Sequence, residues 1–240
     1  QKIARKPAVF RDADGKIPGF GLAQTAPLLE STAEGQIDTG RMMRSLIALA
    51  RASGVEIING IAVEALEESG SHVVIRTAEY GPVRAGKVLV ATNGFARRLL
   101  PEIAVRPARN QVLVTRPIPG LPIRGCFHYN EGYVYFRNVG DRLLIGGFRN
   151  LDTAGETTDE FGATPQIQAA LEAYVREVVL PGVSWSVEYA WSGILGLGEQ
   201  KAPIIRAVSE RIHVAVRLGG MGVAIGTLVG REAADSLLQH

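Results

Sequence analysis

Near its C-terminus the chain runs from a short apolar stretch, Ile212, His213, Val214, Ala215 and Val216, into a glycine cluster of Gly219, Gly220, Met221 and Gly222. A helical pattern follows from about Val223 to Leu238. A strand that turns through glycines into a helix gathers bare backbone N–H groups and the positive end of the helix dipole at one point, which suits an electron-rich or anionic ligand. The same glycines also serve a tight turn that lets a helix lie on a sheet. Elsewhere, Tyr133, Tyr135 and Arg137 alternate as a strand would, which places all three on one face. That face lines a pocket or decorates an outer surface, since tyrosines are common in strands for packing reasons alone. The single cysteine, Cys126, excludes an internal disulfide and a multi-cysteine metal site.

These groups need elements to position them. Residues 7–34 carry scattered apolar positions, Pro18, Pro27 and several glycines, a pattern of loops and short strands. Asp38 and Thr39 are N-cap residues for a helix whose Met42, Met43, Leu46, Ile47, Leu49 and Ala50 recur at helical spacing until Gly54. Val55 to Ile58 then reads as a buried strand, followed by strands at Ile61–Leu66, His72–Thr77 and Lys87–Ala91. Beyond Pro101 the chain is strand-rich, with antiparallel candidates at Gln111–Thr115, Tyr133–Arg137 and Leu143–Gly147, the last two joined by a turn at Asn138–Asp141. A helix is expected from about Thr164 to Val179, and strand again at Ser186–Trp191. Two textures thus alternate, which implies two subdomains that the chain enters more than once.

The composition, with 46% hydrophobic residues, 21% charged residues and a formal net charge of +2, gives no sign of disorder or of a nucleic-acid surface. No apolar run approaches the length that spans a bilayer, and the use of one cysteine fits a reducing, cytoplasmic setting.

Several segments, taken in order, resemble one family. They are Glu34-Gly35-Gln36-Ile37-Asp38, Gly54-Val55-Glu56-Ile57, Val88 through Phe95, Arg106 through Gln111, Arg142 through Gly147, Trp191-Ser192-Gly193, Ala202-Pro203-Ile204 and the glycine cluster. Together they are similar to the FAD-dependent amine and amino-acid oxidoreductases of the glycine oxidase, sarcosine oxidase and D-amino acid oxidase superfamily. The Ala-Thr-Asn-Gly-Phe form at residues 91–95 is closest to the γ-glutamylputrescine oxidase-like branch. The resemblance implies a mixed α/β (α+β) fold. Residues 37–100 and 196–240 would form a partial, Rossmann-like FAD-binding subdomain. Residues 1–36 and 101–195 would form an antiparallel-sheet substrate-binding subdomain.

It also implies roles. Such enzymes move a hydride from the carbon next to an amine nitrogen to the flavin, and the cofactor carries the hard chemistry. Gly220, Met221, Gly222 and Val223 would present backbone to the flavin edge that gains negative charge on reduction. Val63 would meet the adenine, and Ala91, Thr92, Asn93 and Gly94 the pyrophosphate and ribose. Tyr133, Tyr135, Arg137 and Trp191 would line the substrate side. Cys126 does not match a position of covalent flavin attachment, so FAD would be held non-covalently.

Two departures from the family pattern shape the expected function. Where relatives that bind free amino acids carry a carboxylate-clamping arginine, Ile194 and Leu195 stand here, which argues for an amine or a larger amino-acid derivative. The family's opening strand, Gly-x-Gly-x-x-Gly turn and helix are not among the 240 residues; Gly19-Phe20-Gly21 is followed by Gln24 and is not that fingerprint. The chain is therefore expected to be a fragment that pairs with a missing N-terminal segment or another chain. Alone it should bind FAD weakly and be inactive, with apolar faces exposed near Val55–Ile58, Val88–Ala91 and His213–Val216. The alternatives are a non-catalytic remnant that binds a small ligand or partner, or a flavoprotein acting on 2-hydroxy acids.

Overall fold

The computed structural model describes residues 9–239; the Pro7 end of the first loop region lies outside them. Along the chain come β1 (Phe10–Asp12), α1 (Ile17–Phe20), β2 (Leu29–Ser31), α2 (Thr39–Ala52), β3 (Val63–Ser69), β4 (His72–Thr77), β5 (Val83–Ala85) and β6 (Val88–Val90). There follow β7 (Arg106–Thr115), β8 (Cys126–Tyr129), β9 (Val134–Val139), β10 (Arg142–Gly147), α3 (Pro165–Tyr174), β11 (Val187–Leu197), β12 (Ile204–Ala207), β13 (Ile212–Val216) and α4 (Gly222–Leu238). The fold is mixed α/β with several antiparallel sheets. The chain divides into two compact units. The first comprises residues 1–38, 110–156 and 161–193, the second residues 39–109, 157–160 and 194–240.

In the first unit the sheet order is β11-β7-β10-β9-β8. The inward residues of its strands, Leu113, Val134, Phe136, Leu143 and Ile145, form a core with α3. Helix residues Ile167, Leu171, Val175 and Val179 are fully buried at four-residue steps. Such a stripe would drift by about 40° per step on an ideal α-helix. A π-helical turn over Val175–Val179, closed by the Leu180 amide on the Val175 carbonyl at 2.7 Å, is wide enough to keep Val179 on the buried face. The helix expected from about Thr164 to Val179 is therefore present, with its last turn π-helical.

In the second unit β13 lies between β12, antiparallel, and β6, parallel. One face of this sheet packs with β4 through Val73, Val90, Val214 and Val216. The other takes α4 through Ala215, Val229 and Ala233. The three-stranded meander β3-β4-β5 forms a separate sheet.

Three expectations need correction. Residues 55–58 form no strand, and Val55 and Ile58 are 52% and 70% exposed. A strand requires a neighbour to take its backbone groups, and the described residues supply none; the Val55 amide instead closes the end of α2 on the Ala50 carbonyl at 3.1 Å. Every residue of β13 is buried, so the apolar exposure expected at His213–Val216 is absent. Tyr133 lies in the turn before β9 rather than in the strand. Meanwhile α2 buries none of its residues, leaving Met43, Leu46, Ile47 and Leu49 exposed.

Candidate functional site

Because β6 and β13 run parallel and adjacent, their C-terminal ends open at the same edge of the sheet, where ligands of α/β folds characteristically sit. The loop leaving β6 contains Ala91, Thr92, Asn93 and Gly94; the turn leaving β13 contains Arg217 to Met221. Asn93 ties the two together. Its carboxamide oxygen accepts the Arg217 amide at 3.0 Å and the Leu218 amide at 3.2 Å. Asn93 adopts φ +47°, a left-handed conformation that asparagine tolerates better than most residues.

The last part of β11 completes this cluster. A Cβ on Gly94 would stand 2.7 Å from Ile194 Cγ2 and 2.7 Å from the Leu195 carbonyl oxygen, so the loop sits against the strand backbone itself. Gly196 leaves the space that the Asn93 side chain fills, and its carbonyl accepts the Gly219 amide at 3.1 Å. Arg217, at φ +66°, sends its guanidinium back to the carbonyls of Ala202 at 2.8 Å and Ala104 at 3.4 Å. Arg217 and Gly196 are site-building residues that the sequence reading missed. The arginine's place between an apolar strand and a glycine cluster was the available signal.

Within this frame Gly219 and Gly220 take φ +57° and +81°, and the Met221 amide closes the turn on the Leu218 carbonyl at 2.8 Å. Helix α4 begins at Gly222 with no side-chain cap. The amides of Gly222 and Val223 precede the first intrahelical acceptors and so remain open to a ligand. Met221 and Val223 are 56% and 53% exposed, an apolar rim around those donors. Donors, dipole and rim suit a flat aromatic group with an electron-rich edge. Val63 lies on the separate β3-β4-β5 sheet, at the bulged start of β3 and 39% exposed.

On the substrate-side candidates the first unit is explicit. Tyr135 and Arg137 lie on the face of β9 opposite the core residues Val134 and Phe136. The Tyr135 hydroxyl accepts a hydrogen bond from Asn110 Nδ2 at 2.8 Å, and burial pushes its pKa up to about 12 against the lowering effect of that bond. Gly146 on the neighbouring strand leaves the room for its ring. Arg137 donates to the Ile37 carbonyl at 2.7 Å and to the Asn138 carbonyl at 3.3 Å, so it fastens main chain. Tyr133 lies under the Arg149 guanidinium, 5.0 Å from its ring centre. Trp191, on β11, is 44% exposed and shares no ring contact or hydrogen bond with Tyr135 or Arg137 among the described residues. Cys126 faces Gln36, and burial pushes its thiol pKa up, partly offset by Arg137. No metal-binding group of His, Cys, Asp or Glu side chains occurs among the described residues, and no helix among them is long and apolar enough to cross a membrane.

A family model described as FAD dependent oxidoreductase, DAO, matches residues 11–236. The chain belongs to this family. Its members are FAD-dependent, and the open amides and apolar rim at the start of α4 fit that cofactor. Among curated relatives, the bifunctional protein ThiO/ThiG of Nostoc sp. is 26% identical over 225 residues, covering 86% of this chain and 32% of that protein. The hydrogen cyanide synthase subunit HcnC of Pseudomonas aeruginosa is 24% identical over 189 residues, covering 76% and 43%. Among solved structures, glycine oxidase from Geobacillus kaustophilus superposes with a TM-score of 0.79 at 21% identity, covering 99% of this chain and 65% of that one. L-proline dehydrogenase from P. horikoshii gives 0.77 at 17% identity, covering 94% and 63%. The DAO-family chain thus spans about a third of the ThiO/ThiG protein and under two thirds of these solved structures.

Proposed function

We propose that this chain carries the flavin-facing turn and the substrate-side sheet of an oxidoreductase acting on an amine or amino-acid derivative. The observation that carries the reading is the pair of loops at the ends of β6 and β13, joined by Asn93 and opening onto the bare amides of α4. Bound FAD supplies the acceptor for the hydride leaving the carbon next to the substrate nitrogen. The backbone of Gly220, Met221, Gly222 and Val223 would line the flavin edge, and the open amides of Gly222 and Val223 would stabilise the negative charge that the acceptor gains, because N–H groups fixed before the reaction need no reorganisation during it. Ala91, Thr92 and Gly94 give close backbone approach to the phosphate side, and Val63 contacts the adenine. FAD is held non-covalently, and the setting is cytoplasmic.

On the substrate side, Tyr135 stays neutral over the working pH range and offers a hydroxyl proton. Tyr133, Arg137 and Trp191 contribute surface around it. With half-buried Leu195 and Ile194 in place of a guanidinium, the substrate is an amine, an N-substituted amine or a bulkier amino-acid derivative rather than glycine or D-alanine.

The bare apolar stripe of α2, the exposed Val55 and Ile58, and the outer edge of β6, unpaired among the described residues, support a further part of the proposal. They are covered by another segment or chain, and the 240 residues alone bind FAD weakly and turn over no substrate. The test is to titrate the purified chain with FAD by absorbance and fluorescence. An intact homologous enzyme that carries the same turn, and isoleucine and leucine at the positions of Ile194 and Leu195, is assayed in parallel with an amine panel, coupled to peroxide detection or dye reduction. A monomeric chain with stoichiometric FAD would refute the pairing. Efficient oxidation of glycine and D-alanine would refute the substrate class.

A further inference from the structure

The family resemblance places Asn93 in the loop whose backbone would approach the cofactor's ribose and pyrophosphate, and the structure gives its carboxamide oxygen a separate use. Both of that oxygen's hydrogen bonds go to amides of the opposite loop, those of Arg217 and Leu218. The backbone on either side of the contact is constrained as well. Gly94 is wedged against Leu195, Gly196 makes room for the Asn93 side chain, and the Gly219 amide is held by the Gly196 carbonyl. Arg217 is fixed in a left-handed conformation by its guanidinium contacts at Ala202 and Ala104. Beyond the Gly219 amide the turn has, in contrast, only the Met221–Leu218 hydrogen bond to shape it, and a Cβ on Gly220 would meet nothing within 4 Å. A flexible glycine turn keeps one shape only if the residue that launches it is held.

We propose that Asn93 is a positioning residue. By accepting the Arg217 and Leu218 amides it sets the launch angle of the Gly219–Gly222 turn, and so couples the loop after β6 to the amides at the start of α4. The proposal rests on the reading that those amides face the flavin, but the hold on the turn is independent of that reading. Asparagine suits the position because it combines an acceptor of the required reach with tolerance of φ +47°. Glycine would keep the backbone conformation and lose the acceptor, whereas aspartate would keep both, with charge-assisted bonds.

Those two substitutions define the experiment. Amide hydrogen exchange is measured on the full chain as wild type, Asn93→Gly and Asn93→Asp, following peptides that span residues 212–224. With Gly, the Arg217 and Leu218 amides should exchange about 10- to 30-fold faster, the loss expected for two hydrogen bonds, while peptides from β7, β9 and β10 remain unchanged. With Asp, protection should stay within about threefold of wild type, less than the loss of one such bond. The same pair is introduced at the matching asparagine of a flavin-loaded homologue, and FAD dissociation is followed by fluorescence. Gly should weaken FAD about tenfold and Asp should retain it, as expected if the turn must be pre-shaped. Unchanged exchange at residues 217–218 in Asn93→Gly, or acceleration spread evenly over the chain, would overturn the positioning role. Local acceleration with unchanged FAD dissociation would leave the hold on the turn intact and refute the turn's place at the flavin.

Discussion

Replacing Gly94 by alanine tests the tightest approach in the candidate cofactor site. The new Cβ would lie 2.7 Å from the Leu195 carbonyl oxygen, 3.1 Å from the Leu195 carbonyl carbon and 2.7 Å from Ile194 Cγ2. The Ile194 methyl can rotate away, but the carbonyl belongs to β11 and moves only with its strand. Overpacking of this kind costs about 1–3 kcal/mol. For a chain of this size that lowers Tm by roughly 2–4 °C per kcal/mol, so a loss of about 4–8 °C is expected at the middle of the range. Gly230→Ala is the control, because Gly230 is exposed on α4 and a Cβ there meets nothing within 4 Å. In a helix interior that change should stabilise by about 0.5–1 kcal/mol. Thermal unfolding followed by circular dichroism gives both values. A Gly94→Ala protein as stable as wild type, with unchanged spectrum, would refute the wedge between the β6 loop and β11, and with it the geometry argued for Asn93.

Gly222→Val should lower flavin retention in an intact homologous enzyme while the fold persists, since its Cβ already meets Leu218 Cδ1 at 3.3 Å and the added methyls crowd the open amides; unchanged flavin content would contradict this. The Glu30 carboxyl, hydrogen-bonded by Arg11 and then Lys16, is lowered to about 2, so its tie between β1 and β2 holds above the ordinary carboxylate range and is lost only as pH falls through about 2. An NMR titration of Glu30 showing an ordinary midpoint would rule this out. Tyr135 is raised to about 12, so it favours the folded state fully below the ordinary value of 10.0 and stops doing so as pH rises through about 12. Tyr135→Phe, measured by denaturant unfolding, should therefore be less stable than wild type near neutrality by about 0.5–1.5 kcal/mol, for the lost Asn110 bond, and the gap should shrink above pH 10. A gap constant with pH would exclude the raised pKa.

Much of this arrangement was legible in the sequence where a local signal coincides with its tertiary setting. The apolar run into Gly219–Gly222 marked both β13 and the start of α4, and the period of Met43, Leu46 and Ile47 marked α2. Reading failed where an element depends on a neighbour. Val55 to Ile58 have strand composition, but pairing is decided by what lies alongside, and composition carries no information about that. The short strands β5, β8 and β12 were not anticipated, since three or four residues give too little alternation to count. Tyr133 was misplaced by one residue, because the turn formed by Asn130 to Gly132 extends one position further than its glycine suggests. The Asn93 bridge was invisible for a different reason: it joins residues 124 and 125 positions apart, and no local pattern reports such a contact.

Helix α4 is held at its far end as well as at its start. Lys87 Nζ donates to the Leu237 carbonyl at 2.8 Å, and Ser236 Oγ shares a hydrogen bond with His213 Nδ1 at 3.0 Å. Both anchors lie near the beginnings of β6 and β13, the two strands whose other ends carry the Asn93 bridge. The helix is therefore a strut tied near both ends to the same pair of strands, and those ties resist its tilting or sliding to greet an incoming molecule. Any fitting must be done by the arriving molecule and by the side chains of Met221 and Val223. Association should then run at one rate set by encounter, rising linearly with ligand concentration and without the plateau that a slow rearrangement of the protein imposes.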